Sequence, residues 1–236
     1  MNFCLMNNKY IKIGLVILVI GGLWGSLSIH NSNNSPQSKI FTPSDSPVGE
    51  PVKIIAFGDS LTAGYGVSQT ESYPSQLETA LLADSYNVRV INSGVSGETS
   101  RGNLERASFI RGQNPNVVVL GIGGNDALRT LPVQDTEKNI RATVEILQEG
   151  ENPPKIILLQ MKAPLNAGFK YKRTFDDLYK KIATDMDLVL VPFITEDIFL
   201  DKENKLSDGI HYNKIGYQKV IAQHVLPNVK KVLVSN

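Results

Sequence analysis

The stretch Ala56-Phe57-Gly58-Asp59-Ser60-Leu61-Thr62-Ala63-Gly64-Tyr65-Gly66 decides how the rest of the chain is read. An apolar run from Ile54 to Phe57 stops at a Gly-Asp-Ser turn, and glycines and small polar residues follow before a helical pattern begins near Tyr73. Strand, tight turn and helix in that order deliver Ser60 to the carboxyl end of a strand, where open α/β sheets hold their ligands. On this stretch alone two readings stand side by side: Ser60 is a nucleophile, or it caps the segment that follows.

Working outward, apolar runs at Lys53–Phe57, Val88–Ile91, Val117–Gly121, Ile156–Gln160 and Leu188–Val191 predict buried strands. Amphipathic stretches at residues 73–84, 99–112, 135–149, 172–185 and 213–232 predict the helices between and after them. Strands alternating with helices imply an α/β fold, a parallel sheet covered on both faces. The repeating pattern begins at Val52, so residues 52–236 are expected to form one domain.

Ahead of it, Lys9 and Lys12 precede an uncharged run from Ile13 to Ile29. Residues 1–29 read as a signal peptide or a signal anchor, which places the remainder outside the cytoplasm, periplasmic or extracellular, and tethered to the membrane by residues 13–29 if that segment is kept. Residues 30–51 are rich in Asn, Ser and Pro and read as a flexible tether. Lys plus Arg is 24 against 23 Asp plus Glu, without the basic excess of a nucleic-acid binder. The only cysteine, Cys4, leaves no disulfide framework and no Cys-based metal site.

Four polar clusters fall at predicted strand ends or before the last helix: Gly58-Asp59-Ser60, Asn92 to Thr99, Gly123-Gly124-Asn125-Asp126 and Asp208-Gly209-Ile210-His211. A serine needs a base to act as a nucleophile at neutral pH. Of the three histidines, His30 lies in the tether and His224 within the last helix, which leaves His211. Asp208, three residues earlier, is near enough to hold the imidazole in the required tautomer, although lone Asp-x-x-His matches are common. The Gly97 amide and the Asn125 side chain offer donors to an oxyanion, with a plain turn and a helix cap as their alternatives. Asp59 is expected to fix its turn. Gly94-Val95-Ser96-Gly97-Glu98 has Glu98 where the Gly-x-Ser-x-Gly elbow needs glycine, and no phosphate-cradling loop is present.

With these clusters in hand, the chain resembles the GDSL or SGNH hydrolases, which carry four such blocks in this order, here Gly58-Asp59-Ser60-Leu61, Ser96-Gly97-Glu98-Thr99, Gly123-Gly124-Asn125-Asp126 and Asp208-Gly209-Ile210-His211. The similarity runs from about Lys53 to the C-terminus and looks closest to the exported thioesterase, lysophospholipase and arylesterase branch. It implies a three-layer α/β/α sandwich around a flavodoxin-like five-stranded parallel sheet of order 2-1-3-4-5. It implies Ser60 as nucleophile, His211 as general base and acid, and Asp208 as its orienting partner. The oxyanion hole would be the amides of Ser60 and Gly97 with the Asn125 side chain, and no metal or cofactor is expected.

The resemblance further implies a serine esterase acting on small-molecule or lipid esters or thioesters through an acyl-enzyme. Alternatives are a carbohydrate O-acetylesterase on the same fold and a non-catalytic surface binding module. A monomer is expected. The loop from Ala127 to Val133 resembles a mobile substrate-contacting loop, whose Leu128, Leu131 and Val133 either meet an acyl chain or pack on the domain. Tyr212 departs from the proline or small residue of many members, which bears on the shape of the rim beside His211.

Overall fold

Strands β1 (Val52–Gly58) and β3 (Val117–Gly121) are apolar almost throughout because both their faces are covered; Ile54 to Phe57 and Val118 to Leu120 are fully buried. The computed structural model describes residues 49–234. The apolar run at 13–29, His30 and the tether up to residue 48 therefore lie outside the described residues. With β2 (Val88–Gly94), β4 (Lys155–Gln160) and β5 (Val189–Pro192), the strands form one parallel sheet of order β2-β1-β3-β4-β5. This is the expected flavodoxin-like order. It reverses beside β1, which opens a crevice at the carboxyl ends of β1 and β3.

Helices cover both faces. Helices α3 (Ser100–Gly112), α5 (Val133–Leu147) and α6 (Phe169–Asp185) pack beside one another on one face. On the other lie α2 (Tyr73–Ala83), α8 (Lys214–Val220) and α9 (Leu226–Val234). Three short helices escape the sequence pattern because none is long enough to show a helical period: α1 (Ser60–Ala63), α4 (Gly124–Leu128) and α7 (Glu196–Phe199). The single helix expected over 213–232 is also not continuous. A π-helical turn, Ile221–Val225, separates α8 from α9 just where Pro227 lacks the N–H that an α ladder would offer to the carbonyl of Gln223.

The register aligns the first three motifs. Gly58 of β1 pairs with Gly94 of β2 on one side and with Gly121 of β3 on the other, so three strands end on a single rung. These glycines make room for the short helix above them. A Cβ on Gly94 would stand 2.1 Å from the Ala63 amide nitrogen, and one on Gly58 2.3 Å from the Gly121 carbonyl oxygen and the Thr62 hydroxyl.

Among the described residues, no helix is long and apolar enough to cross a membrane.

Candidate active site

Ser60 is the first residue of α1, and Asp59 caps that helix: its Oδ1 accepts the Leu61 N–H at 3.0 Å. Asp59 is 1% exposed. Burial pushes its carboxyl up to about 7, against the pull of the Leu61 amide and with added repulsion from Asp126 and Glu98. Asp59 thus fixes the turn, as the sequence suggests, and Ser60 projects from the end of β1.

His211 arrives on a loop 151 residues later in the chain. Lys205 bridges to Tyr212, and the Leu206 N–H donates to the His211 carbonyl at 2.9 Å, so the segment between closes on itself. Within it, Asp208 Oδ1 accepts the amides of Ile210 (2.9 Å) and His211 (3.0 Å), while Oδ2 lies 2.7 Å from His211 Nδ1. Partial burial pushes the Asp208 pKa up, but those amides and the imidazole outweigh it and hold the pKa below the usual carboxylate range. An ionised carboxylate only accepts, so Nδ1 carries the proton and Nε2 of the neutral ring is the acceptor. Nε2 lies 2.8 Å from Ser60 Oγ, which makes the serine hydroxyl the donor to it.

The loops after β2 and β3 adjoin this chain of hydrogen bonds. Gly97 adopts φ +81°, which favours glycine, and turns its carbonyl to Arg129 Nη2 at 2.8 Å. Its amide, the Ser60 amide and the Asn125 side-chain amide find no acceptor among the described residues. Three donors are thereby left available on loops that leave neighbouring strands. Asn125 itself is 9% exposed.

Of the three side chains read as either meeting an acyl chain or packing on the domain, Leu128 is exposed and Leu131 half-buried. Val133 is different: it opens α5, is 8% exposed and belongs to the hydrophobic core, so packing claims it. Tyr212 also turns inward. Fully buried, it donates its hydroxyl to the Phe193 carbonyl at 2.9 Å and packs against Phe193, Phe199 and Tyr217, so it anchors the His211 loop and leaves the rim alone. His224 sits in the π-helical turn, and none of its contacts involves Ser60.

Several positioning residues carry no local signal in the sequence. Tyr65 lays its ring 4.7 Å from the His211 ring, centroid to centroid, and its backbone N–H donates to the Ser60 carbonyl at 3.0 Å, so one residue touches both partners. Its place between two glycines reads only as a turn. Asp126, 2% exposed, accepts the Ser100 amide (2.7 Å), the Ser100 hydroxyl (2.5 Å) and the Thr136 hydroxyl (3.2 Å). It clamps the start of α3, which follows Gly97, to the helix that carries Asn125. Glu98 accepts from Asn103 and, twice, from Arg106, whose guanidinium lies 4.9 Å over the Phe57 ring and also reaches the Ser93 carbonyl. Glu98 stands just ahead of α3, five residues before Asn103 and eight before Arg106, so its partners lie nearby in the sequence; nothing local hints at Asp126.

Comparison with known proteins agrees with the motif order and the fold. The sequence profile of the GDSL-like Lipase/Acylhydrolase family matches residues 56–219. The chain is 34% identical over 164 residues to the Thioesterase 1/protease 1/lysophospholipase L1 of Escherichia coli strain K12, covering 68% of this chain and 76% of that protein. It is 33% identical over 183 residues to the Arylesterase of Vibrio mimicus, covering 77% and 90%. Among solved structures, the psychrotrophic esterase EstA from Pseudoalteromonas sp. superposes with a TM-score of 0.71 at 30% identity, over 77% of this chain and 98% of that one. The SGNH-hydrolase family esterase AlinE4 follows with a TM-score of 0.65 at 36% identity, over 80% and 100%. Motifs, sheet order and relatives lead to one placement: the chain belongs to the GDSL-like lipase/acylhydrolase family and is an SGNH-fold hydrolase of ester bonds.

Proposed function

We propose that this protein is an exported serine esterase that hydrolyses carboxylic esters or thioesters through an acyl-enzyme, with Ser60 as nucleophile, His211 as general base and acid, and Asp208 orienting the imidazole. The observation that carries the reading is the unbroken run of hydrogen bonds from Ser60 Oγ through His211, 2.8 Å and then 2.7 Å, to Asp208. Residues 1–29 serve in this reading as export signal or anchor, residues 30–51 as tether, and residues 52–236 as the catalytic domain.

The steps follow from the geometry. Ser60 Oγ attacks the carbonyl carbon while its proton passes to His211 Nε2, and the carbonyl oxygen takes the negative charge of the tetrahedral intermediate. The unpaired amides of Ser60 and Gly97 and the Asn125 side chain donate to that oxyanion. The ionised Asp208 stabilises the imidazolium that forms. Collapse of the intermediate breaks the bond to the alcohol or thiol, which leaves with the proton from Nε2. Water then attacks the acyl-Ser60 ester, again deprotonated by His211, and the acid departs as Ser60 regains its proton. The exposed Leu128 and half-buried Leu131 favour acyl chains longer than acetyl.

The Pseudoalteromonas esterase was solved inhibited by monoethylphosphonate. The same chemistry supplies the test here. A fluorophosphonate probe should label the wild type and fail to label Ser60→Ala, and p-nitrophenyl ester hydrolysis should fall about 10³-fold or more in Ser60→Ala and in His211→Ala. Labelling of Ser60→Ala at the wild-type level would overturn the assignment. A rate profile against acyl length then tests the substrate class: activity confined to acetyl esters would point to carbohydrate O-deacetylation instead.

A further inference from the structure

The two most exposed large apolar side chains among the described residues are Phe169, 82% exposed, and Leu165, 79% exposed. They stand four residues apart where the chain leaves β4 and enters α6, at the carboxyl edge of the sheet. Each of the other strands is followed by an exposed apolar side chain: Tyr65 after β1, Val95 after β2, Leu128 after β3 and, next to His211, Ile210 beyond β5. The rim is contiguous there. The Tyr171 hydroxyl donates to the Leu131 carbonyl at 2.9 Å, joining the start of α6 to the loop of Leu128, and Arg129 joins that loop to the one carrying Gly97.

Charge accompanies the apolar side chains. Residues 161–175 hold Lys162, Lys170, Lys172 and Arg173 and no acid. Lys162 and Lys172 are answered by Asp176. Lys170 and Arg173 are exposed and have no ion-pair partner among the described residues. Protruding aromatic and aliphatic tips flanked by unanswered cations complement a surface that is apolar below a layer of negative charge.

We propose that this rim, led by Leu165 and Phe169 with Lys170 and Arg173 beside them, docks on an anionic phospholipid bilayer. Docking sets the carboxyl edge of the sheet, and Ser60 with it, against the membrane. Chain length permits it in the anchored form as well. Val52 opens β1 at the opposite edge; the 22 residues from 30 to 51 extend to at most about 75 Å, while the seven residues of β1 span about 23 Å. Anchorage through Ile13–Ile29 leaves the rim within reach of the same bilayer.

The full chain carries a single tryptophan, Trp24, which allows an optical test. In a Trp24→Phe background, Phe169→Trp is compared with Phe109→Trp; Phe109 is 70% exposed near the end of α3, toward the opposite edge of the sheet. With vesicles of phosphatidylcholine and phosphatidylglycerol carrying brominated chains, Phe169→Trp emission should shift to the blue and be quenched, and Phe109→Trp emission should do neither. Adding Lys170→Glu and Arg173→Glu should abolish the shift. An unshifted, unquenched Phe169→Trp, or equal quenching of both variants, would overturn the proposal. A blue shift that grows with protein concentration in the absence of vesicles would overturn it in favour of a second copy of this chain. The readout does not need Ser60 chemistry: repeating it in Ser60→Ala should change nothing, so failure of docking and failure of the catalytic assignment are told apart.

Discussion

The Ser60 turn and the loop carrying Asp208 and His211 meet across one hydrogen bond, yet different forces hold them. Beyond the Leu61 N–H on Asp59, the turn is held by packing: Asp59 is 1% exposed, and the glycines beneath α1 have no room for a Cβ. The loop is held by directed hydrogen bonds, the two amides on Asp208 Oδ1 and the Leu206 N–H on the His211 carbonyl, together with the Tyr212 anchor. A Cβ on Gly209 in this loop would meet nothing within 4 Å. The Ser60 turn is thus set by shape, which tolerates no added volume, and the His211 loop by polar geometry, which tolerates volume but not a change of donor or acceptor.

Four substitutions probe that contrast, the largest effect first. Asp208→Asn keeps the shape of the loop but puts an N–H opposite Nδ1, which forces the wrong tautomer; kcat should fall by about 10³ to 10⁴ with little change in Tm. A rate within about tenfold of wild type would break the polar half of the contrast. Asp59→Asn tests the packed half through pH. The carboxyl titrates near 3.8 in the unfolded chain and about 7 in the fold, so the unfolded chain releases its proton first and the native state loses stability as pH rises through that window. The loss amounts to about 1.4 kcal/mol per pH unit, and the variant, which cannot ionise, should be spared it. Denaturation midpoints of the two proteins that run parallel from pH 4 to pH 7 would show that Asp59 does not carry this linkage.

The smaller effects come from alanine scanning of two glycines. Gly58→Ala should cost about 3 kcal/mol in thermal or urea unfolding, because its Cβ falls 2.3 Å from backbone. Gly209→Ala, at φ +69° with open space around it, should cost only about 1 kcal/mol of backbone strain. Equal costs would erase the distinction between the two regions.

The same distinction explains what the sequence makes visible. Buried strands announce themselves as apolar runs, so β1 and β3 are read almost to their ends, and sheet order follows once the family is recognised. β2, half-exposed and polar toward Gly94, extends further than its apolar run suggests. Ser60, Asp208 and His211 are legible because histidine is scarce and the pair lies within one short motif. Asp126 and Tyr65 are not, because their partners lie 26 and 146 residues away along the chain, at Ser100 and His211. Val133 is ambiguous for a related reason: an apolar residue at the end of a loop reads alike whether it faces substrate or core, and only the direction of α5 decides.

The Asp126 clamp makes the loops after β2 and β3 one mechanical part. A single buried carboxylate holds the amide and hydroxyl of Ser100 and the hydroxyl of Thr136 at once, so a displacement of the loop that follows Asn125 is transmitted to the segment that follows Gly97. Chimeras between relatives should inherit this gearing. Grafting one of the two loops alone sets it against a foreign partner, whereas exchanging both, with residues 100 and 136 included, carries the whole assembly across intact.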